Sequence, residues 1–121
     1  MDIIKGSMWN NGEKTSLSSL LDKIPHNEWE WYLYEINAIG AAPRGMSMPD
    51  FEQQALSSDT GIKLSWNEIV EFANSLDDIT TCYLAALSNP VQYESLCNGE
   101  LGSCLALINI SDSTSWEIKL R

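Results

Sequence analysis

Gly61-Ile-Lys-Leu-Ser-Trp-Asn-Glu-Ile-Val-Glu-Phe-Ala-Asn-Ser-Leu76 is the stretch from which the fold is read. Ser65, followed by Glu68, is a capping box: hydroxyl and carboxylate take up amide protons that a first helical turn leaves unbonded. Leu64, just ahead of the cap, is placed to pack on Ile69 as a hydrophobic staple. At about 100° per residue, Trp66, Ile69, Val70, Phe72, Ala73 and Leu76 fall on one arc. Asn67, Glu71, Asn74, Ser75 and Asp78 fall opposite. The spacing predicts an amphipathic helix over Trp66–Leu76, laid on a sheet.

Upstream, Glu28-Trp-Glu-Trp-Tyr-Leu-Tyr-Glu-Ile36 alternates Trp29, Trp31 and Leu33 with Glu28, Glu30, Tyr32 and Tyr34. Period two with this aromatic content predicts a strand whose second face is wet or meets a partner. Before it, Ile3, Ile4, Met8 and Trp9 mark a short strand, and Asn10-Asn11-Gly12 a turn. Leu17, Leu20, Leu21 and Ile24 mark a short helix that starts at Ser16 and is stopped by Pro25. Residues 40–60, with Gly40, Pro43, Gly45 and Pro49, read as an irregular loop holding one helical turn at Pro49–Leu56. Downstream, Thr80–Leu87 reads as a buried strand. Cys104–Ile110 and Trp116–Leu120 read as a hairpin closed by Ser111–Ser115. Strands in runs, without strict helix alternation, predict one α+β domain with a mostly antiparallel sheet, packed by the main helix and one or two short ones.

Composition narrows the function. The chain has 121 residues, 44% of them hydrophobic, which suits a single packed domain. Seven Lys and Arg against 17 Asp and Glu set a formal charge of −10. Such a field repels nucleic acids and anionic membranes and draws basic partners, or else serves only solubility. The seven cations are scattered, so direct nucleic-acid binding is not expected. The start, Met1–Ser7, shows no apolar targeting region, and the longest apolar run, Cys82–Leu87, is far below the roughly 20 residues of a membrane span. A cytoplasmic location follows as the expectation, with Cys82, Cys97 and Cys104 as reduced thiols and no CxxC spacing.

Reaction chemistry is poorly supplied. The one histidine, His26, sits in the turn Pro25-His26-Asn27, and no nucleophile–base pattern accompanies it. One His with three unpatterned Cys is a weak basis for zinc. Gly40-Ala-Ala-Pro-Arg-Gly45 lacks the Lys-Ser/Thr ending of a phosphate loop. The expectation is therefore no enzyme and no cofactor. Acid placement is the remaining signal. Asp77 and Asp78 fall near the end of the capped helix, where the macrodipole disfavours anions by roughly 0.3–1 kcal/mol each. The alternative is a helix that stops at Leu76, with the two acids in a polar turn. Glu71 shares the helix's solvent face with Asp78. Glu28 and Glu30 border the aromatic strand, which exposes Tyr32 and Tyr34 if its tryptophans point inward. Acids beside tyrosines suit a basic partner.

Tyr34-Glu35-Ile36, Gly40-x-x-Pro43-x-Gly45, Phe51-Glu52, Gly61-Ile-Lys-Leu-Ser-Trp-Asn-Glu-Ile69 and Phe72-Ala-x-x-Leu76-x-Asp78-Ile79 together resemble small bacterial immunity proteins. These neutralise toxin domains of contact-dependent inhibition and related polymorphic toxin systems. The resemblance spans residues 28–87 and is carried by loop turns and a helix start. It implies a non-enzymatic inhibitor that covers a toxin domain with a basic cleft, often a nuclease. No contact residue carries over from it. The residues expected to face the toxin, Glu28, Glu30, Tyr32, Glu71, Asp77 and Asp78, rest on the surface argument alone. A ligand-binding or enzymatic domain using the 40–60 loop and the thiols, or an acidic adaptor for another basic protein, are the competing readings.

Overall fold

The computed structural model describes residues 1–121. In chain order it runs β1 (Asp2–Ser7), β2 (Trp9–Asn10), β3 (Glu13–Lys14), α1 (Leu17–Leu21), β4 (Trp31–Gly40), α2 (Met48–Ser57), β5 (Ile62–Leu64), α3 (Trp66–Asn74), β6 (Leu76–Leu87), α4 (Tyr93–Cys97), β7 (Cys104–Ser111) and β8 (Ser115–Leu120). Six strands form one sheet in the order β1-β8-β7-β6-β4-β5, and every pairing in it is antiparallel. The fold is α+β, a single small domain.

The capping box on α3 is complete: Glu68 N donates to Ser65 Oγ at 3.2 Å, and Ser65 N donates to Glu68 Oε1 at 3.1 Å. Trp66, Ile69, Phe72 and Ala73 are buried, and both staple residues, Leu64 and Ile69, lie in the same core. Helices α1, α2 and α3 cover one face of the sheet. Trp31 meets Trp66 at 5.5 Å between ring centroids, and Phe51 meets Phe72 edge-on at 5.4 Å.

Several expectations need correction. The main helix ends at Asn74, not Leu76; Ser75 caps it by donating its hydroxyl to Phe72 O and Ala41 O. Leu76 instead opens β6, so that strand begins four residues ahead of the expected Thr80, and Asp77 and Asp78 lie neither on a helix end nor in a turn. About half of the irregular 40–60 segment is helix α2, Met48–Ser57, capped by Ser47 and docked through Phe51 and Ala55. The strand expected at Glu28–Ile36 runs Trp31–Gly40. Short β5 and α4 were not anticipated.

The largest correction concerns β4. Tyr32 and Tyr34 are 3% exposed each, as deeply buried as the tryptophan and leucine beside them. Leu33 pairs with Leu84 and Glu35 with Tyr83, so Tyr34 is an extra residue, a β-bulge. The bulge switches parity: Trp31 and Leu33 face the helices before it, Ile36 and Ala38 after it. Tyr32 and Tyr34 belong to a second, eight-residue cluster on the other face with Tyr83, Leu87, Leu96 and Leu107. That face is covered by α4 and the segment 88–103, so neither face of β4 is wet along this length.

Candidate functional site

Each acid proposed from the sequence has a definite place. Glu28 is exposed in the loop before β4, beside His26 and Trp66. Glu30 is exposed and ion-paired with Lys63 at 3.0 Å, and it accepts from the buried Tyr32 hydroxyl at 3.3 Å. The Lys63 ammonium, by hydrogen bond and charge, holds the Glu30 carboxyl below the usual carboxylate range. Tyr32 thus acts as a packed side chain that steadies Glu30, not as the exposed contact expected of it. Glu71 is exposed on the outer side of α3, in a shallow depression with Arg44, Glu68 and Ser75. Arg44 pairs with Glu68 at 3.1 Å.

Asp77 and Asp78 lie at the start of β6. Asp78 pairs with Ile39 and Leu76 with Gly40, which makes Asp77, like Thr80 before Thr81, an extra residue of β6, and Asp77 is exposed. Asp78 accepts from Lys14 Nζ at 2.7 Å, and that hydrogen bond holds its carboxyl below the usual range.

These residues do not converge. Glu28 and Glu30 flank the start of β4, and Asp77 and Asp78 adjoin its end. Ten strand residues at about 3.3 Å each separate the two groups by about 30 Å.

A further hollow lies elsewhere, on the second face of the sheet. Helix α4 packs on this face through Tyr93, against Tyr34 and Tyr83, and through the buried Leu96. Beside it is an open hollow of about 470 Å³, walled by Tyr93 and Cys97 of α4 and floored by Glu35, Tyr83, Asn109 and Glu117. The strand registers place the floor residues in one row: Glu35 opposite Tyr83, Tyr83 opposite Asn109, Asn109 opposite Glu117, and Glu117 opposite Lys5.

The aromatic wall is fixed by packing. Tyr93 stacks on Tyr34 at 5.6 Å and stands edge-on to Tyr83 at 4.9 Å, and Tyr34 donates its hydroxyl to Val91 O at 2.6 Å. Burial raises the Tyr83 phenol well above its ordinary value. It does the same for Tyr93, reinforced by the neighbouring Cys97 thiol and Glu35 carboxylate. Both rings are therefore neutral hydroxyl donors across the physiological range. Sequence reasoning passed over this hollow, because Tyr93 reaches the sheet only through a loop that shows no periodicity. The one available signal was Glu35, a carboxylate beside the bulge.

The thiols divide. Cys82 and Cys104 are buried, with Cys104 Sγ donating to Ala106 O at 3.3 Å; Cys97 is exposed at the hollow's wall, and all three are free. His26 is exposed in its loop. No helix is long and apolar enough to cross a membrane. Fold and surface together define an α+β domain with a dispersed acidic exterior and one aromatic-walled hollow. Comparison with protein families, curated proteins and solved structures found nothing that matches the chain.

Proposed function

We propose that this chain is an immunity protein, which binds a cognate bacterial toxin domain and neutralises it by steric and electrostatic occlusion. The toxin domain presents a basic surface, as a nuclease cleft does. The observation that supports this reading is how little of the acidity is used internally. Of the 17 carboxylates, four sit in ion pairs, with Lys14, Arg44, Lys63 and Lys119; the other 13 have no cation within 4.0 Å. Four of the seven cations are meanwhile already engaged. The unpaired groups are thus 13 of the 17 carboxylates against three of the seven cations, Lys5, Lys23 and Arg121, a predominantly negative field that speeds encounter with a cationic surface and competes with nucleic acid for it.

Glu28, Glu71 and Asp77 are the members of the proposed contact set that remain exposed and free of ion pairs. Glu30 and Asp78 reach a partner only by sharing or releasing a lysine, and Tyr32 contributes through Glu30. The test is co-expression with the toxin domain encoded by the neighbouring gene. Co-purification of the two chains and rescue of growth are the expected results. Turnover of a substrate by the isolated chain, or growth arrest that it fails to relieve, overturns the reading.

A further inference from the structure

We propose that the hollow beside α4, on the face of the sheet opposite α3 and Glu71, is a separate docking point that receives an arginine or lysine side chain projecting from a basic protein. The inference rests on the binding reading above and adds a place and a chemistry to it.

Three observations carry it. First, the covering layer stops short. Tyr34 is buried beneath Tyr93 of α4, whereas Glu35, Asn109 and Glu117, on the same face, are only part-buried. Second, the wall is rigid and aromatic. Tyr93 is 36% exposed yet locked between Tyr34 and Tyr83, so a guanidinium or ammonium group meets a ring already held in place. Third, the charges point one way. Glu35, Asp112 and Glu117 line the hollow against Lys119, whose ammonium is already 3.7 Å from Glu117, with Lys5 beyond Glu117 at the end of the row. A cation entering from solvent meets two carboxylates with no ion-pair partner, Glu35 and Asp112, and two neutral phenols.

The shape selects a protein as the carrier. Small-molecule sites bury about 70–90% of their ligand. This hollow is open along its length, which suits the tip of a side chain whose remaining contacts come from the body that bears it. Interface anchors of this kind pair an aromatic with an arginine inside a rim of weaker polar contacts.

The test uses the full chain, labelled with ¹⁵N and titrated with acetylated, amidated Gly-Ser-Arg-Ser-Gly, its neutral citrulline counterpart, and free arginine amide. Shifts confined to the amides of Tyr83, Tyr93, Asn109 and Glu117 are expected, with the arginine peptide half-saturating at a concentration about tenfold lower than the citrulline peptide. Glu35→Gln, which preserves side-chain volume, is expected to remove most of that difference while leaving the remaining spectrum unchanged. Tyr93→Phe keeps the ring and is expected to retain the preference. Equal behaviour of the arginine and citrulline peptides, or shifts centred on Glu71 and Asp77, overturns the proposal. Arginine amide binding as well as the peptide would make the hollow a small-cation site and overturn the assignment to a protein. None of these results depends on the toxin, so immunity and anchor site stand or fall separately.

Discussion

Asp78 Oδ1 and Lys14 Nζ lie 2.7 Å apart across 64 residues of chain, and the same ammonium also donates to Ser113 Oγ at 2.9 Å. One lysine thereby ties the small β2–β3 hairpin to the start of β6 and to the β7–β8 turn. Asp78→Asn is expected to cost at most about 1 kcal/mol, since the carboxylate is half exposed and Lys14 keeps Ser113. The hydrogen bond depresses the Asp78 pKa, so its contribution is present above the ordinary carboxylate value and is lost as pH falls through the folded one. Denaturation midpoints of wild type and Asp78→Asn should therefore converge in acid. A gap that persists at low pH would contradict this account of the pair.

Trp66 seats the main helix against β4 through its contact with Trp31. Trp66→Ala is expected to destabilise the domain by about 3–5 kcal/mol, read from urea unfolding. An unchanged midpoint would mean that this face of α3 does not bear on the core.

Gly40 ends β4 at φ +144°, where an added Cβ would lie 2.5 Å from Ser75 O and 2.7 Å from Leu76 Cα, both backbone atoms that cannot move aside. Gly40→Ala is expected to cost roughly 1–3 kcal/mol. Gly102→Ala, with open space around it, should stay within about 0.5 kcal/mol of wild type. Similar thermal midpoints for the two variants would refute the close approach of β4 to β6.

Tyr34 gives the domain an alkaline limit. Burial pushes its phenol from 10.0 to about 12. A raised pKa means that the folded state holds a proton which the unfolded state has released. The stabilising contribution is complete below pH 10 and is lost as pH rises toward 12. Tyr34→Phe should lose about 1 kcal/mol at neutral pH with the Val91 hydrogen bond, then unfold less steeply between pH 10 and 12. An alkaline limb as steep as that of wild type would locate the effect in the other buried groups, the Tyr83 and Tyr93 phenols, which burial raises as well, or Cys82, whose thiol burial pushes up to about 12.

What the sequence made legible was local. The Ser65–Glu68 box, the α1 leucines and the β7–β8 hairpin are written in residues a few positions apart, and they fold as read. The hairpin turn even places Asp112 and Ser113 at positive φ, which matches strand twist. The second face of β4 was not legible, because what covers it arrives from far along the chain. Tyr34 is sealed by Tyr93 and Val91, and period-two alternation cannot distinguish a tyrosine facing water from one facing a distant loop. The bulge at Tyr34 compounds this by changing which parity faces the helices. For the same reason the acidic residues were legible as a charge but not as a place: Glu30 and Asp78 had partners, Lys63 and Lys14, that only the fold supplies.

The measurement that bears most directly on the proposed immunity role is calorimetric titration of this chain with the protein encoded by the neighbouring gene, at low and at high salt. Occlusion by an acidic surface predicts tight binding whose affinity falls by at least about tenfold as salt is raised, with Glu71→Lys and Asp77→Lys weakening it further. Affinity indifferent to salt and to those reversals, or no binding at all, would contradict it.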